Sequence, residues 1–192
     1  VCSSDLKYED FLKETEINSK NVHENGLRLE FIEQQTTEMC LEAVKKNGLE
    51  LNFVVNQTED ICIEALKENI NAFEFVRNPT ENICLQLVKE NPWTLSKIEN
   101  QTENICIQAV KKCGHSLIYV DKQTDKVCLE AVKQYGYVLK FVKKQTKEMS
   151  LLAVKQDGAY LKYVKKQTPE ICLIAVKQNK ESLKYVDKKI FD

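Results

Sequence analysis

The chain has 192 residues, 43% hydrophobic and 30% charged, with 5 Gly, 3 Pro and 8 Cys, and a formal net charge of −1. That balance supports a packed core and excludes a linker-like or disordered chain. No apolar run approaches the roughly 18 residues a membrane helix needs, and Asp5, Glu9 and Asp10 interrupt the place where a signal peptide would be apolar.

Residues 1–13 follow no pattern and carry no predicted element; Val1 in place of an initiator Met fits a piece of a longer chain. A 22-residue period then takes over. Residues 14–35 read as a degenerate first repeat, keeping Asn25-Gly26-Leu27 and Phe31-Ile32 but placing Glu14 at the cap and Asn18 at the cysteine position. Thr36, Thr58, Thr80, Thr102, Thr124, Thr146 and Thr168 follow at intervals of 22, most within a string close to Gln-Thr-Glu-x-Ile-Cys-Leu-x-Ala-Val-Lys. So short a period means one supersecondary element stacked on copies of itself. The expected fold is all-α: an α-solenoid of stacked two-helix repeats, with eight units over residues 14–189 and a tail at 190–192.

Residues 124–145 illustrate one repeat. Thr124 is a natural N-cap, and acidic residues follow the cap in most copies (Glu59, Glu81, Glu103, Asp125), at the positive end of the helix dipole. Val127, Cys128, Ala131 and Val132 share one stripe. Gly136, like Gly48, Gly114 and Gly158, is expected to end the helix as a left-handed cap. Tyr137 to Lys144 reads as a second, shorter helix with Leu139 and Val142 on one face. The prolines agree: Pro169 follows a capping Thr, Pro92 replaces the terminating Gly, and Pro79 precedes the next cap. The competing plan is an α/β leucine-rich-repeat-like solenoid, since Leu49, Leu51 and Phe53 alternate like a strand. Val54, Val76, Val120 and Val142 break that alternation, and Pro-Trp-Thr-Leu-Ser-Lys in another copy has helix-start chemistry.

These residues resemble the helical repeats of the family called domain of unknown function 4116. Its pattern is an acidic helix start, an apolar-Leu-x-Ala-Val-Lys-x-Asn-Gly core, then Leu-x-(Phe/Tyr)-Val; Glu59 to Lys67, Thr102 to Lys111 and Glu170 to Asn179 carry it here. Ser150 for Cys, Lys97 for the aromatic and Lys180 for Gly depart from it. The resemblance implies a fold and a setting typical of giant viruses and bacteria that live inside protists. It implies no reaction.

Cys40, Cys62, Cys84, Cys106, Cys128 and Cys172 form one column, with Ser150 in the remaining place. Packed helices lie about 8–10 Å apart, whereas a disulfide needs Cα atoms within about 7 Å, and no Cys-x-x-Cys pair exists to grip zinc. The column is expected to be buried and reduced, which points to a cytoplasmic setting, host cytoplasm included. Phe31, Phe53, Phe75, Tyr119, Phe141, Tyr163 and Tyr185 form a second column, interrupted by Lys97. Core packing is expected for it rather than base stacking, with the tyrosine hydroxyls reaching the surface. His23 and His115 share no repeat position, and no triad, phosphate loop or paired carboxylates are visible. No catalytic residue, metal ligand or cofactor is expected.

Charge is what repetition does not explain. Residues 1–101 hold 10 Lys+Arg and 19 Asp+Glu, net −9, whereas residues 102–192 hold 18 and 10, net +8. The basic half has three ladders: Lys133, Lys155 and Lys177; Lys140, Lys162 and Lys184; and Lys143-Lys144 with Lys165-Lys166 and Lys188-Lys189. Lys45, Lys67, Lys89 and Lys111 extend the first ladder toward the acidic half, so only the other two are specific to the C-terminal repeats. The expected role is a non-enzymatic scaffold that binds macromolecules, most of all proteins, along its repeat surface. Nucleic-acid or polyanion binding by the basic half is the first alternative, and head-to-tail self-assembly of acidic and basic ends the second. No membrane contact is expected.

Overall fold

The structure, a computed structural model, describes residues 28–190. The expected non-repeat segment 1–13 and most of the degenerate repeat 14–35 lie outside the described residues, as do 191–192.

Each full repeat opens with a ten-residue α-helix: α1 Thr37–Lys46, α2 Glu59–Glu68, α3 Glu81–Glu90, α4 Glu103–Lys112, α5 Asp125–Gln134, α6 Lys147–Gln156 and α7 Pro169–Gln178. The start is set locally. In all seven repeats the capping Thr hydroxyl accepts from the amide three residues on, at 3.3–3.4 Å, which satisfies an amide that has no partner inside the helix. Pro169 sits in the first turn of α7, where a missing amide costs nothing.

The second half of each repeat is a six-residue 3₁₀ helix: Gly48–Phe53, Ile70–Phe75, Pro92–Lys97, Gly114–Tyr119, Gly136–Phe141, Gly158–Tyr163 and Lys180–Tyr185. A further 3₁₀ turn, Lys188–Ile190, crosses the expected end of the array at Lys189. No strand occurs among the described residues, so the leucine-rich-repeat plan is ruled out. Leu51 is buried whereas Leu49, two residues earlier, is exposed, as the tight 3₁₀ winding requires and a strand face does not.

The expected left-handed glycine caps are not there. Each α-helix with a described C-cap ends on an extended residue (Asn47, for example, at φ −149° and ψ 104°), and none of the four described glycines has a left-handed φ. Gly48 and Gly158 are needed for a different reason. A Cβ at either would collide with the carbonyl oxygen of Ala65 or Ala175 in the next repeat's helix. Glycine here permits close approach of one repeat to the next.

The chain divides into two compact blocks, residues 1–90 and 91–192. Within the first, α1, α2 and α3 pack in sequence order and helix 48–53 lies against 70–75. Within the second, α4 to α7 do the same beside the run of 3₁₀ helices from 92–97 to 180–185. The fold is all-α, a solenoid of stacked two-helix repeats. Its interior is built from repeated columns: Val127, Cys128, Ala131, Val132, Leu139 and Val142 of one repeat are all buried.

The cysteine column is buried too, and every described cysteine is a free thiol. Burial pushes the column thiols above their ordinary range, to about 11 for Cys106 and Cys128. Except at Cys84, where Pro79 stands in its place, their polar partner is the glutamine that precedes the capping Thr. The thiols of Cys40, Cys106, Cys128 and Cys172 donate to Oε1 of Gln35, Gln101, Gln123 and Gln167 at 3.3–3.7 Å. Ser150 instead donates to the Thr146 carbonyl.

Candidate functional site

The same glutamine fastens one repeat to the next. Gln145 donates from Nε2 to the Leu139 carbonyl at 3.0 Å and to the Tyr163 carbonyl at 2.8 Å, while its Oε1 accepts from the Lys165 amide at 2.8 Å. Gln35 and Gln57 in the first block, and Gln101 in the second, repeat all three bonds on their own neighbours. An amide side chain has donors and an acceptor to do this at once. In each case the far carbonyl belongs to the aromatic column: Phe53, Phe75, Tyr119, Phe141, Tyr163 or Tyr185. The staple therefore fixes the backbone beneath each ring.

The rings are not core residues, contrary to expectation. Phe53, Phe75, Tyr119, Phe141, Tyr163 and Tyr185 are half-buried and Phe31 is 70% exposed. The interior is already filled by residues on either side, such as Leu139 and Val142, which are fully buried. That leaves Phe141 on the shoulder of the repeat. In the second block more aromatics join the row. Trp93 meets Tyr119 edge-on at 5.9 Å. His115 lies 5.2 Å from Tyr135, Tyr135 stacks on Tyr137 at 5.6 Å, and Tyr137 meets Tyr163 at 5.3 Å and Tyr160 at 6.2 Å.

The second lysine ladder lies over these rings. Lys140 Nζ is 4.0 Å from the Tyr137 centroid and 4.5 Å from that of Phe141. Lys162 Nζ sits 4.9 Å from Tyr163 and 5.9 Å from Tyr185, and Lys184 Nζ 5.1 Å from Tyr185. An ammonium over a ring face is attracted by the ring quadrupole. The Lys140 hydrogen bond lowers the Tyr137 phenol below its usual range, and the Tyr163 hydroxyl holds the Lys162 ammonium above its own. Nearby, burial and the Tyr135 hydrogen bond push Tyr160 up to about 12. Ammonium and ring thus alternate along three consecutive 3₁₀ helices.

The other candidates sort differently, though all ten are exposed. Lys133 pairs with Glu130 at 2.7 Å on its own helix, as Lys67 does with Glu64 at 2.5 Å in the first block. Lys143 and Lys165 turn back as clamps between repeats: Lys143 Nζ donates to the Asp121 carbonyl at 3.4 Å, and Lys165 Nζ to those of Val142 and Lys143 at 2.9 and 3.0 Å. Arg77 does the same to Val55 in the first block. Lys144 and Lys166 flank these clamps, while Lys155 and Lys177 stand on α6 and α7. Sequence reasoning missed the glutamine staples; their only signal was recurrence in the repeat string. It also missed the column of Trp93, His115 and Tyr137, and Tyr135 and Tyr160 beside it.

Fold and face together define a helical-repeat protein whose periodic interior carries a non-periodic basic and aromatic surface. Residues 102–147 and 146–191 match, in tandem, the model of the family described as a domain of unknown function (DUF4116). No curated protein and no solved structure matches the chain. Among the described residues no cluster of His, Cys, Asp or Glu could hold a metal ion, and no helix is long and apolar enough to cross a membrane.

Proposed function

We propose that the chain is a non-enzymatic scaffold that binds other proteins along its 3₁₀ face, within the cytoplasm. The observation that carries this reading is the ammonium and tyrosine strip of the second block. Its tyrosines are half-exposed, Tyr137 and Tyr163 touch each other, and Tyr163 and Tyr185 rest on stapled backbone, so they offer large contact area at low entropic cost. Tyr and Trp are also among the residue types that dominate protein–protein hot spots. The cytoplasmic setting rests on the column of free, buried thiols.

The ring faces speak against nucleic acid as the first partner. Base stacking needs an open aromatic face, and Lys140, Lys162 and Lys184 already occupy one face of Tyr137, Phe141, Tyr163 and Tyr185. Self-assembly has one observation in its favour. The two blocks differ in net charge, with 9 Lys+Arg against 18 Asp+Glu in residues 1–90 and 19 against 11 in residues 91–192.

The test is a binding panel on the intact chain at physiological salt, with fluorescent acidic, neutral and basic peptides beside duplex DNA. Sedimentation velocity of the chain alone runs in parallel. Binding of acidic peptides by a monomeric chain is the expected result. Tight binding to duplex would put the nucleic-acid reading first, and salt-sensitive oligomers without added peptide would put self-assembly first.

A further inference from the structure

We infer that the strip formed by Lys140, Lys162 and Lys184 with Tyr137, Tyr163 and Tyr185 is a docking site for an extended acidic segment of a partner protein, one carboxylate to each repeat. This rests on the protein-binding reading above and goes further by naming the surface, the partner's chemistry and its spacing.

Charge complementarity gives the partner its sign. The three lysines occupy the same position of three consecutive repeats, and Lys143, Lys144, Lys165 and Lys166 lie a few residues further on. Around them the acidic residues are few: Asp157 caps the 3₁₀ helix 158–163, Glu181 approaches Lys184 at 3.8 Å, and Asp187 follows the last ring of the strip. The lysines are also held rather than loose. Each ammonium rests against a ring whose backbone is stapled to the preceding repeat. Part of the side-chain entropy that an ion pair normally costs is therefore already spent, which raises the value of each contact above that of a free surface pair.

Repetition gives the partner its spacing. Packed helices recur at about 8–10 Å, so the ammonium groups recur at about that pitch. A chain in polyproline-II extension rises about 3.1 Å per residue with three residues per turn. It returns a side chain to the same side every third residue, about 9 Å on. Acidic residues at every third position then meet Lys140, Lys162 and Lys184 in register. The half-exposed phenols between them supply apolar contact for the stem and hydroxyls for the peptide carbonyls.

The probe is a fluorescent peptide of five Glu-Pro-Pro triplets, titrated into the intact chain by anisotropy. Its comparators are a peptide of the same composition with the glutamates clustered at one end, and an oligouridine of similar length. The spaced peptide is expected to bind more tightly than either. The triple variant Lys140→Gln/Lys162→Gln/Lys184→Gln should weaken it by about tenfold or more, because each lost pair is worth at least an ordinary surface ion pair. Lys111→Gln/Lys155→Gln/Lys177→Gln removes the same charge from α-helices of the same block and should weaken it less than about twofold, by loss of long-range attraction alone. Circular dichroism should be unchanged in both, because all six side chains are exposed. Equal losses in the two triples would overturn the strip while leaving protein binding standing. Equal affinity for the clustered peptide would overturn the spacing. Tighter binding of oligouridine would overturn both the strip and the protein-binding reading.

Discussion

In residues 1–90 the position before each column ring is Glu30, Asn52 and Glu74; in residues 91–192 it becomes Ile118, Lys140, Lys162 and Lys184. The rings change with it, from Phe31, Phe53 and Phe75 to a column dominated by tyrosine. Beneath that surface the two blocks are built alike. Thr58 and Thr146 cap their helices in the same way, and Gln57 and Gln145 make the same three backbone bonds. The lesson is that repetition encodes the scaffold, while any binding specificity has to be sought where the repeats stop agreeing.

The largest test of the shared interior is the glycine position. Gly48→Ala and Gly158→Ala should each cost about 3 kcal/mol in urea denaturation, because the new methyl collides with a backbone carbonyl that cannot move aside cheaply. Gly136→Ala should cost less, since its Cβ would stop 3.0 Å from the Ala153 Cα. A loss at only one of Gly48 and Gly158 would break the equivalence of the blocks.

These glycines also mark how far the sequence could be read. The period, the Thr caps, the proline positions and the buried cysteines were legible because each depends on residues within one turn or on a fixed apolar stripe. The role of Gly158 was not, since its requirement comes from Ala175 in the following repeat rather than from its own φ. Gln145 was equally opaque. It is polar and half-buried, and its bonds to Tyr163 and Lys165 span 18 and 20 residues. The lysines were visible as ladders, but reach alone separates Lys165, which folds back onto carbonyls, from Lys162, which lies over a ring.

Next in size are the staples. Gln57→Ala and Gln145→Ala each strand one part-buried carbonyl, that of Phe75 or Tyr163, while the Leu51 and Leu139 carbonyls keep the amides of Val54 and Val142; each variant should cost about 2 kcal/mol. Chemical denaturation with one label in each block would check this. A cost confined to the second block would mean that the first is held together differently.

A pH effect should follow from the thiols in both blocks. Their folded pKa values are raised by burial, from near 9.0 to about 11 for Cys106 and Cys128. Above about pH 9 the unfolded chain releases thiol protons that the folded chain keeps, so stability is full below that pH and is lost as pH climbs toward 11. The thermal midpoint should fall across that window, and less steeply in Cys106→Ser/Cys128→Ser. A midpoint that rises with pH there would contradict the burial.

The smallest effect sharpens the surface side of the comparison. Lys67→Gln and Lys133→Gln each remove an exposed pair within one helix and should change stability by no more than about 0.5 kcal/mol. A larger loss at Lys133 alone would assign that ladder a role peculiar to the second block.

The claim that one face of the second block is the binding surface is tested most directly by hydrogen–deuterium exchange of the intact chain with and without the Glu-Pro-Pro peptide. Added protection is expected in the 3₁₀ helices Gly136–Phe141, Gly158–Tyr163 and Lys180–Tyr185, with α1 to α3 unchanged. Protection that appears instead in residues 28–90, or on α5 to α7 with the 3₁₀ helices untouched, would contradict it.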